Sequence, residues 1–214
     1  MKSLRAFCFV AILGLAVGLS AQAPAAPSAP AAQAAPAAQA APAAQATPAP
    51  VTSLAALVDR QVSQYEKNVV EAAEAMPADK FDFNPASLKI NGAAFTDVRS
   101  FATLVKHTAT ANYRFWTTLT GDKMPENIKG PNGPDDLKTK EQIIQFLKDS
   151  FAMGHKAAKT ITNENALEQL PFFRGTQARL SIASGCVIHA ADEYGQMVEY
   201  LRMNGIVPTA SRGN

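Results

Sequence analysis

Apolar residues recur at steps of three and four along four separate stretches of the chain, beginning at Ser53. That spacing places the apolar side chains on one face of a helix, and no stretch shows a convincing two-residue alternation of a strand. The four predicted helices cover residues 53–76, 100–120, 139–162 and 176–203. Ser53 is a typical N-cap, and Gly121 and Gly205 stand where the second and fourth helices should end. The pattern predicts an all-α four-helix bundle without a sheet.

The fourth predicted helix carries two mixed or apolar faces instead of one. The first, which we expect to enter the core, comprises Leu180, Ala183, Val187, Ala191, Tyr194, Val198 and Leu201. The second comprises Ile182, Cys186, His189, Glu193, Gln196 and Tyr200. A solvent-facing side would not normally mix these residue types, so the second face predicts the lining of a cleft or a subunit contact. The segment 123–138 is interpreted as a solvated loop, with a lid as the alternative.

Residues 1–23 have the features of a secretory signal peptide. Lys2 and Arg5 form a positive start, and 6–19 is an uncharged apolar run that is too short for a comfortable membrane span. Cleavage fits after Ala23 or after Ser20. We therefore predict export to the periplasm or the medium, with no stable membrane insertion after cleavage. An uncleaved N-terminal anchor is the alternative.

The segment 24–51 is predicted to be a disordered linker. Residues 21–50 contain 17 Ala and 7 Pro and no charged residue, and one hexapeptide occurs three times in succession across 29–46. Recurring proline prevents a helix, and a six-residue unit is too short to pack as a solenoid. The linker is either a spacer that holds the domain away from a surface or a drifted sequence without a selected role. The folded domain is then 52–214.

The charge of the predicted domain argues against nucleic acid as a partner. Of the 20 Lys and Arg residues, Lys2 and Arg5 belong to the leader, so 18 remain against 18 Asp and Glu. A formally neutral domain has no bulk field that would attract a phosphate backbone. Once the signal is removed Cys186 is the single cysteine, which excludes an intrachain disulfide and favours a buried thiol.

The chain has three histidines, and two of them suggest a metal site. His189 and Glu193 are four residues apart on the fourth predicted helix, so both side chains can reach one ion. His107 could supply a third ligand from the second helix, which is near the fourth in many bundles. Two imidazoles and one carboxylate leave open coordination positions that suit zinc hydrolytic chemistry or Fe, Mn or Ni. A His and a Glu four residues apart are also common on solvent-exposed helices, so this spacing alone does not establish a metal site.

Two other polar residues of these helices have less specific interpretations. Gln196, three residues after Glu193, is a candidate partner that orients a metal ligand, and a surface role is the alternative. His155, on the third predicted helix, is interpreted as a structural histidine.

Three segments, 75–83, 99–107 and 194–208, together resemble the DinB family, the DinB/YfiT-like metal-binding four-helix-bundle proteins. The resemblance covers essentially all of 53–212, in order. It implies one divalent metal ion (Zn, Ni, Mn or Fe) held by a histidine of the second helix and a His-x-x-x-His pair of the fourth. Those positions fall on His107, His189 and Glu193, so the third ligand is a carboxylate here. The resemblance also implies a homodimer.

Two classes of function follow from these observations. The first is a metal-dependent enzyme, a hydrolase or a thiol-transferase-like protein, acting on an unknown small molecule. Export argues against a cytoplasmic thiol as co-substrate and favours hydrolysis. The alternative is a non-catalytic exported bundle, a binding or structural module with a degenerate metal site. Whether the protein is an enzyme stays open at this point.

Overall fold

The computed structural model describes residues 50–212 and places four helices where the sequence predicts them. The helices are α1 (Leu54–Ala75), α2 (Phe101–Thr120), α3 (Lys140–Ala158) and α4 (Arg179–Met203). The predicted signal peptide and all but the last two residues of the predicted linker lie outside the described residues. Within 50–212, no helix combines the length and the apolar character that crossing a bilayer requires.

Local sequence signals set the ends of these helices. The hydroxyl of Ser53 accepts a hydrogen bond from the Ala56 N–H at 3.1 Å. Thr139 and Gln142 form a reciprocal capping box at the start of α3. Gly121 ends α2 with φ +76°, and its N–H donates to the Thr117 carbonyl at 2.8 Å. These contacts involve residues within four positions of each other, which is why the sequence predicts them well.

The packing order of the helices differs from their order in the chain. α2 packs against α3 and α4, and α1 packs against the same two helices, so α1 and α2 lie across the bundle from each other. The connection 76–100 crosses the end of the bundle, where the Phe83 and Phe81 carbonyls accept from the first N–H groups of α2 at 2.9 and 2.8 Å. The core between the helices includes Val62, Phe101, Leu104, Trp116, Leu147, Phe151, Met197 and Leu201.

The prediction that the domain contains no sheet is wrong in one segment. Strands β1 (Gln169–Phe172) and β2 (Gly175–Ala178) form an antiparallel hairpin between α3 and α4, with Gln169 opposite Ala178 and Phe172 opposite Gly175. Each strand has only four residues, which is too short for a two-residue alternation to be recognised. The turn residue Phe173 has φ +50°, a region that L-residues rarely adopt.

The second face of α4 lines a pocket at His189, as the sequence predicts for a cleft, but three of its other residues do not form the alternative subunit contact. Ile182, Cys186 and Tyr200 are all buried within the chain, because α4 is covered by α1 and α2 and by the connecting segments. The Cys186 thiol donates to Asn112 Oδ1 at 3.4 Å, and burial raises its pKa well above the usual range. These side chains therefore cannot form the predicted subunit contact, and the thiol is not a reactive group.

His155 joins α3 to α1 through two carboxylates. Its Nδ1 lies 2.7 Å from Asp59 Oδ1, and its Nε2 lies 2.9 Å from Glu66 Oε2. A neutral imidazole carries only one N–H, so both contacts are hydrogen bonds only in the charged form. Partial burial disfavours that charge, but the hydrogen bonds to Glu66 and Asp59 outweigh it and the pKa of His155 is raised. The interpretation of His155 as structural agrees with this position.

We expect His155→Gln to lower the free energy of unfolding by up to about 1 kcal/mol at mildly acidic pH, the scale of a partly exposed ion pair. Because folding raises the pKa, this contribution is fully present below the unfolded value of about 6.5 and disappears as the pH rises through the folded value. Urea unfolding of both proteins across this range measures it. Lys148→Gln is the control, because it removes a 2.7 Å ion pair with Glu74 between the same helices without a histidine. Equal pH dependence in the two variants would contradict the assignment.

Candidate metal centre

His107 of α2 meets His189 and Glu193 of α4 at one point of the bundle. Both Nε2 atoms lie 3.4 Å from Glu193 Oε1, and one ligand atom from each residue lies within 4.8 Å of the other two. Two ligands of a tetrahedral ion with bonds of 2.0–2.1 Å are separated by about 3.3–3.4 Å. The structure therefore brings together the three residues that the sequence singles out, in a cluster that could hold a metal ion. That they do bind one stays a prediction.

The loop between α2 and α3 determines which nitrogen of His107 faces the cluster. His107 Nδ1 lies 2.7 Å from the carbonyl oxygen of Pro131. A carbonyl only accepts, so Nδ1 carries the proton and the Nε2 of a neutral ring presents a lone pair to Glu193. A hydrogen bond from the second ring nitrogen to a backbone carbonyl is the usual support of a metal-binding histidine.

The carboxylate of Glu193 is buried, with 4% of the residue exposed. Its Oε2 and the Nδ1 of His189 have no hydrogen-bond partner among the described residues. Burial lowers the pKa of His189, although the Glu193 carboxylate acts in the opposite direction. A neutral His107 has no hydrogen on the nitrogen that faces Glu193, so that 3.4 Å contact is repulsive unless a cation or a further proton lies between them. The two imidazole nitrogens and the buried carboxylate oxygen are therefore a set of ligand atoms that fits a divalent cation.

A pocket of about 400 Å³ opens beside the cluster, and both histidines form part of its wall. Its lining consists of His107, Thr110, Ala111, Arg114, Phe115, Pro131, Phe173 and His189. Phe115 connects the hairpin to the histidines, because its ring lies 4.9 Å from that of Phe172 and 6.2 Å from that of His189, between centroids. An ion held by the cluster would thus lie next to a cavity of ligand size.

Several residues of this region were not identified from the sequence. Thr110, Arg114 and Phe115 follow His107 at helical steps of three, seven and eight, and that spacing could have indicated a shared face. Pro131 and Phe173 belong to a loop and a turn, and no local pattern indicates their place. Gln196 is exposed and donates to Asp192 Oδ2 at 3.4 Å, so the structure does not support its predicted contact with a metal ligand. The Pro131 carbonyl makes that contact instead.

Comparison with known proteins supports the fold. No protein-family model matches the chain, and no curated protein matches it. A crystal structure described as a DinB-like protein from Bacillus cereus ATCC 10987 is similar, with a TM-score of 0.52 and 13% sequence identity. The similarity covers 70% of this chain and 93% of that chain. At this identity the likeness concerns the fold alone, and the chain has the DinB-like helical fold that the sequence resemblance predicts.

Substitutions of Glu193 test the ligand set. We expect Glu193→Ala to weaken zinc binding at least about tenfold, because it removes the only anionic ligand, and Glu193→His to strengthen it by supplying a third imidazole. Competition with a chromophoric chelator measures both dissociation constants. Glu199→Ala is the control, since Glu199 is an exposed carboxylate of the same helix. Zinc binding by Glu193→Ala that equals the parent would contradict the assignment.

A glycine of the loop tests the role of the Pro131 carbonyl. Gly133 has φ +82°, and an added Cβ would lie 2.8 Å from the Cβ of Lys106, so Gly133→Ala should displace the loop. We expect metal affinity to fall by about 10- to 100-fold, because His107 loses the contact that orients its ring. Gly130→Ala is the matched control, since an added Cβ there meets nothing within 4 Å. Equal metal affinity in the two variants would show that the loop does not orient His107.

Proposed function

We propose that this protein, which has a DinB-like fold, is a metal-dependent enzyme that acts on a small molecule in the pocket beside His107 and His189. One observation carries the proposal: two imidazole nitrogens lie 3.4 Å from the same buried carboxylate oxygen, and one of them is oriented by the Pro131 carbonyl. His107 Nε2, His189 Nε2 and Glu193 Oε1 would hold the ion. A divalent ion there would supply Lewis acidity, which polarises a carbonyl oxygen and lowers the pKa of a water or thiol ligand.

The side chains around the cluster have separate roles in this proposal. Glu193 would balance part of the charge of a bound ion, and its burial keeps water away from the side of the cluster that faces the core. His107 and His189 line the pocket, so they would hold the ion next to a ligand there. We favour metal-assisted hydrolysis over thiol transfer, because an exported protein would have little access to cytoplasmic thiols.

Export is part of the proposal and is supported by the sequence features of residues 1–23 alone. We expect the chain recovered from the periplasm or the medium to have the mass of a protein that has lost its predicted signal peptide, which mass spectrometry measures. An unprocessed chain confined to the cytoplasm would contradict export. The homodimer implied by the family resemblance stays a prediction. The buried Ile182, Cys186 and Tyr200 side chains are not available for its contact.

One observation favours a non-catalytic binding module instead. Apart from His107 and His189, the residues that line the pocket include no carboxylate, cysteine, lysine or tyrosine. Proton transfer to a substrate would therefore depend on the two histidines and on the ion. In this second candidate the protein would bind a metal or a ligand without transforming it.

Cobalt substitution distinguishes the two candidates. We expect the purified full chain to carry about one divalent ion, His189→Ala to carry little, and the cobalt-loaded protein to show the visible spectrum of a low-coordinate ion. Added 2-mercaptoethanol should change that spectrum if the ion has an open position. Hydrolysis of a p-nitrophenyl ester panel that requires the ion and is lost in His189→Ala would support the enzyme. A closed cobalt site without any hydrolysis would favour the binding module, and no metal uptake would contradict both metal proposals.

A further inference from the structure

We propose that the pocket selects a small organic acid, a carboxylate attached to an aromatic or other apolar body. In this assignment Arg114 binds the carboxylate, Phe115 and Phe173 contact the apolar body, and the opposite end of the molecule faces His107 and His189. The inference rests on the proposed function, since it names the substrate class of the same site.

The lining of the pocket combines polar side chains with a larger apolar part. His107, Ala111 and Arg114 share one face of α2, and seven helical steps separate His107 from Arg114 by about 10 Å along the axis. Ala111, Phe115, Pro131 and Phe173 supply the apolar part of the lining. A ligand that satisfies this pocket therefore combines an apolar body with polar groups that are far enough apart to reach both Arg114 and the histidines.

Arg114 gives the pocket the charge that recognises an acid. Its guanidinium carbon lies 5.7 Å from the centroid of the Phe173 ring, and no carboxylate among the residues that the structure describes pairs with it. No acidic side chain is among the lining residues. A guanidinium that has no carboxylate partner within the protein can bind the carboxylate of a ligand in bidentate fashion.

Phe173 is an exposed aromatic residue in a constrained position. The residue is 71% exposed at the hairpin turn, has φ +50°, and packs edge-on against Phe172 with centroids 4.5 Å apart. Because Phe173 also lines the pocket, its exposed ring is accessible to a ligand there. An aromatic body between Phe173 and Phe115 would cover this ring.

Three probes test the selection. We would titrate the purified full chain with 3-phenylpropionate, its uncharged analogue 3-phenylpropionamide, and propionate, and measure dissociation constants by ligand-observed NMR. The expected result is that 3-phenylpropionate binds about tenfold or more tightly than either of the others, because only it offers both the charge and the ring. Equal affinity for the acid and the amide would overturn the inference.

Single substitutions test which side chain contacts the carboxylate of the ligand and which contacts its ring. Arg114→Gln should abolish the preference for the acid over the amide, and Phe173→Ala should weaken both phenyl compounds while leaving propionate unchanged. Arg174→Gln is the matched control, because Arg174 is an exposed arginine beside Phe173 that does not line the pocket. Thermal unfolding of each variant verifies that it is folded, and loss of the acid preference in Arg174→Gln as well would overturn the role of Arg114.

The same titrations with chelator-treated and zinc-loaded protein separate this inference from the proposed function. An Arg114-dependent acid preference without zinc uptake would support the organic-acid pocket and contradict the metal-dependent enzyme. Zinc uptake without any preference for the acid would support the metal site of the proposed enzyme and contradict the organic-acid pocket. An acid preference that needs zinc and survives Arg114→Gln would mean that the ion binds the carboxylate, which would overturn the inference.

Discussion

The buried carboxylate of Glu193 is the group on which the arrangement of this domain depends. A carboxylate that is removed from water requires compensating partners, and the nearest polar groups here come from two helices. His189 is one turn away on α4, whereas His107 reaches across from α2, with both Nε2 atoms at 3.4 Å. A bundle that separated α2 from α4 would remove His107 from this cluster. The pairing of α2 with α4 and the chemistry of the cluster are therefore one constraint, and a divalent cation would satisfy it most completely.

The segments between the helices contribute residues to the candidate site. The loop that follows α2 does not simply return the chain to α3: it packs along α2, where the Pro131 carbonyl contacts His107 and the Pro134 carbonyl accepts from Lys106 at 3.2 Å. The hairpin before α4 supplies Phe172 and Phe173 next to Phe115. The bundle supports the three candidate ligands, and the segments between its helices shape the cavity beside them. Variation in these segments could alter ligand selection without altering the core.

A carboxylate at the position of the third histidine would change the character of the site from the three-histidine pattern that the family resemblance implies. If a divalent ion binds, two neutral imidazoles and one carboxylate would leave it with a smaller net positive charge, and the oxygen ligand would favour harder ions such as Mn or Fe relative to zinc. Arg114 adds a positive charge to the lining of the pocket beside this cluster. A domain with equal numbers of acidic and basic residues thus has a local charge pattern that its overall neutrality does not reveal.

The sequence by itself determined the four helices and one edge of the site, because both depend on short-range geometry. Caps and stops such as Ser53, Thr139 and Gly121 act within one turn, and the proximity of His189 to Glu193 follows from the period of a helix. Only the tertiary structure decided that Tyr200 enters the core, that a hairpin precedes α4, and that Pro131 orients His107 from 24 residues away. These contacts join segments that are distant in the chain, and their energies depend on which helices become neighbours. No local pattern of residues carries that information.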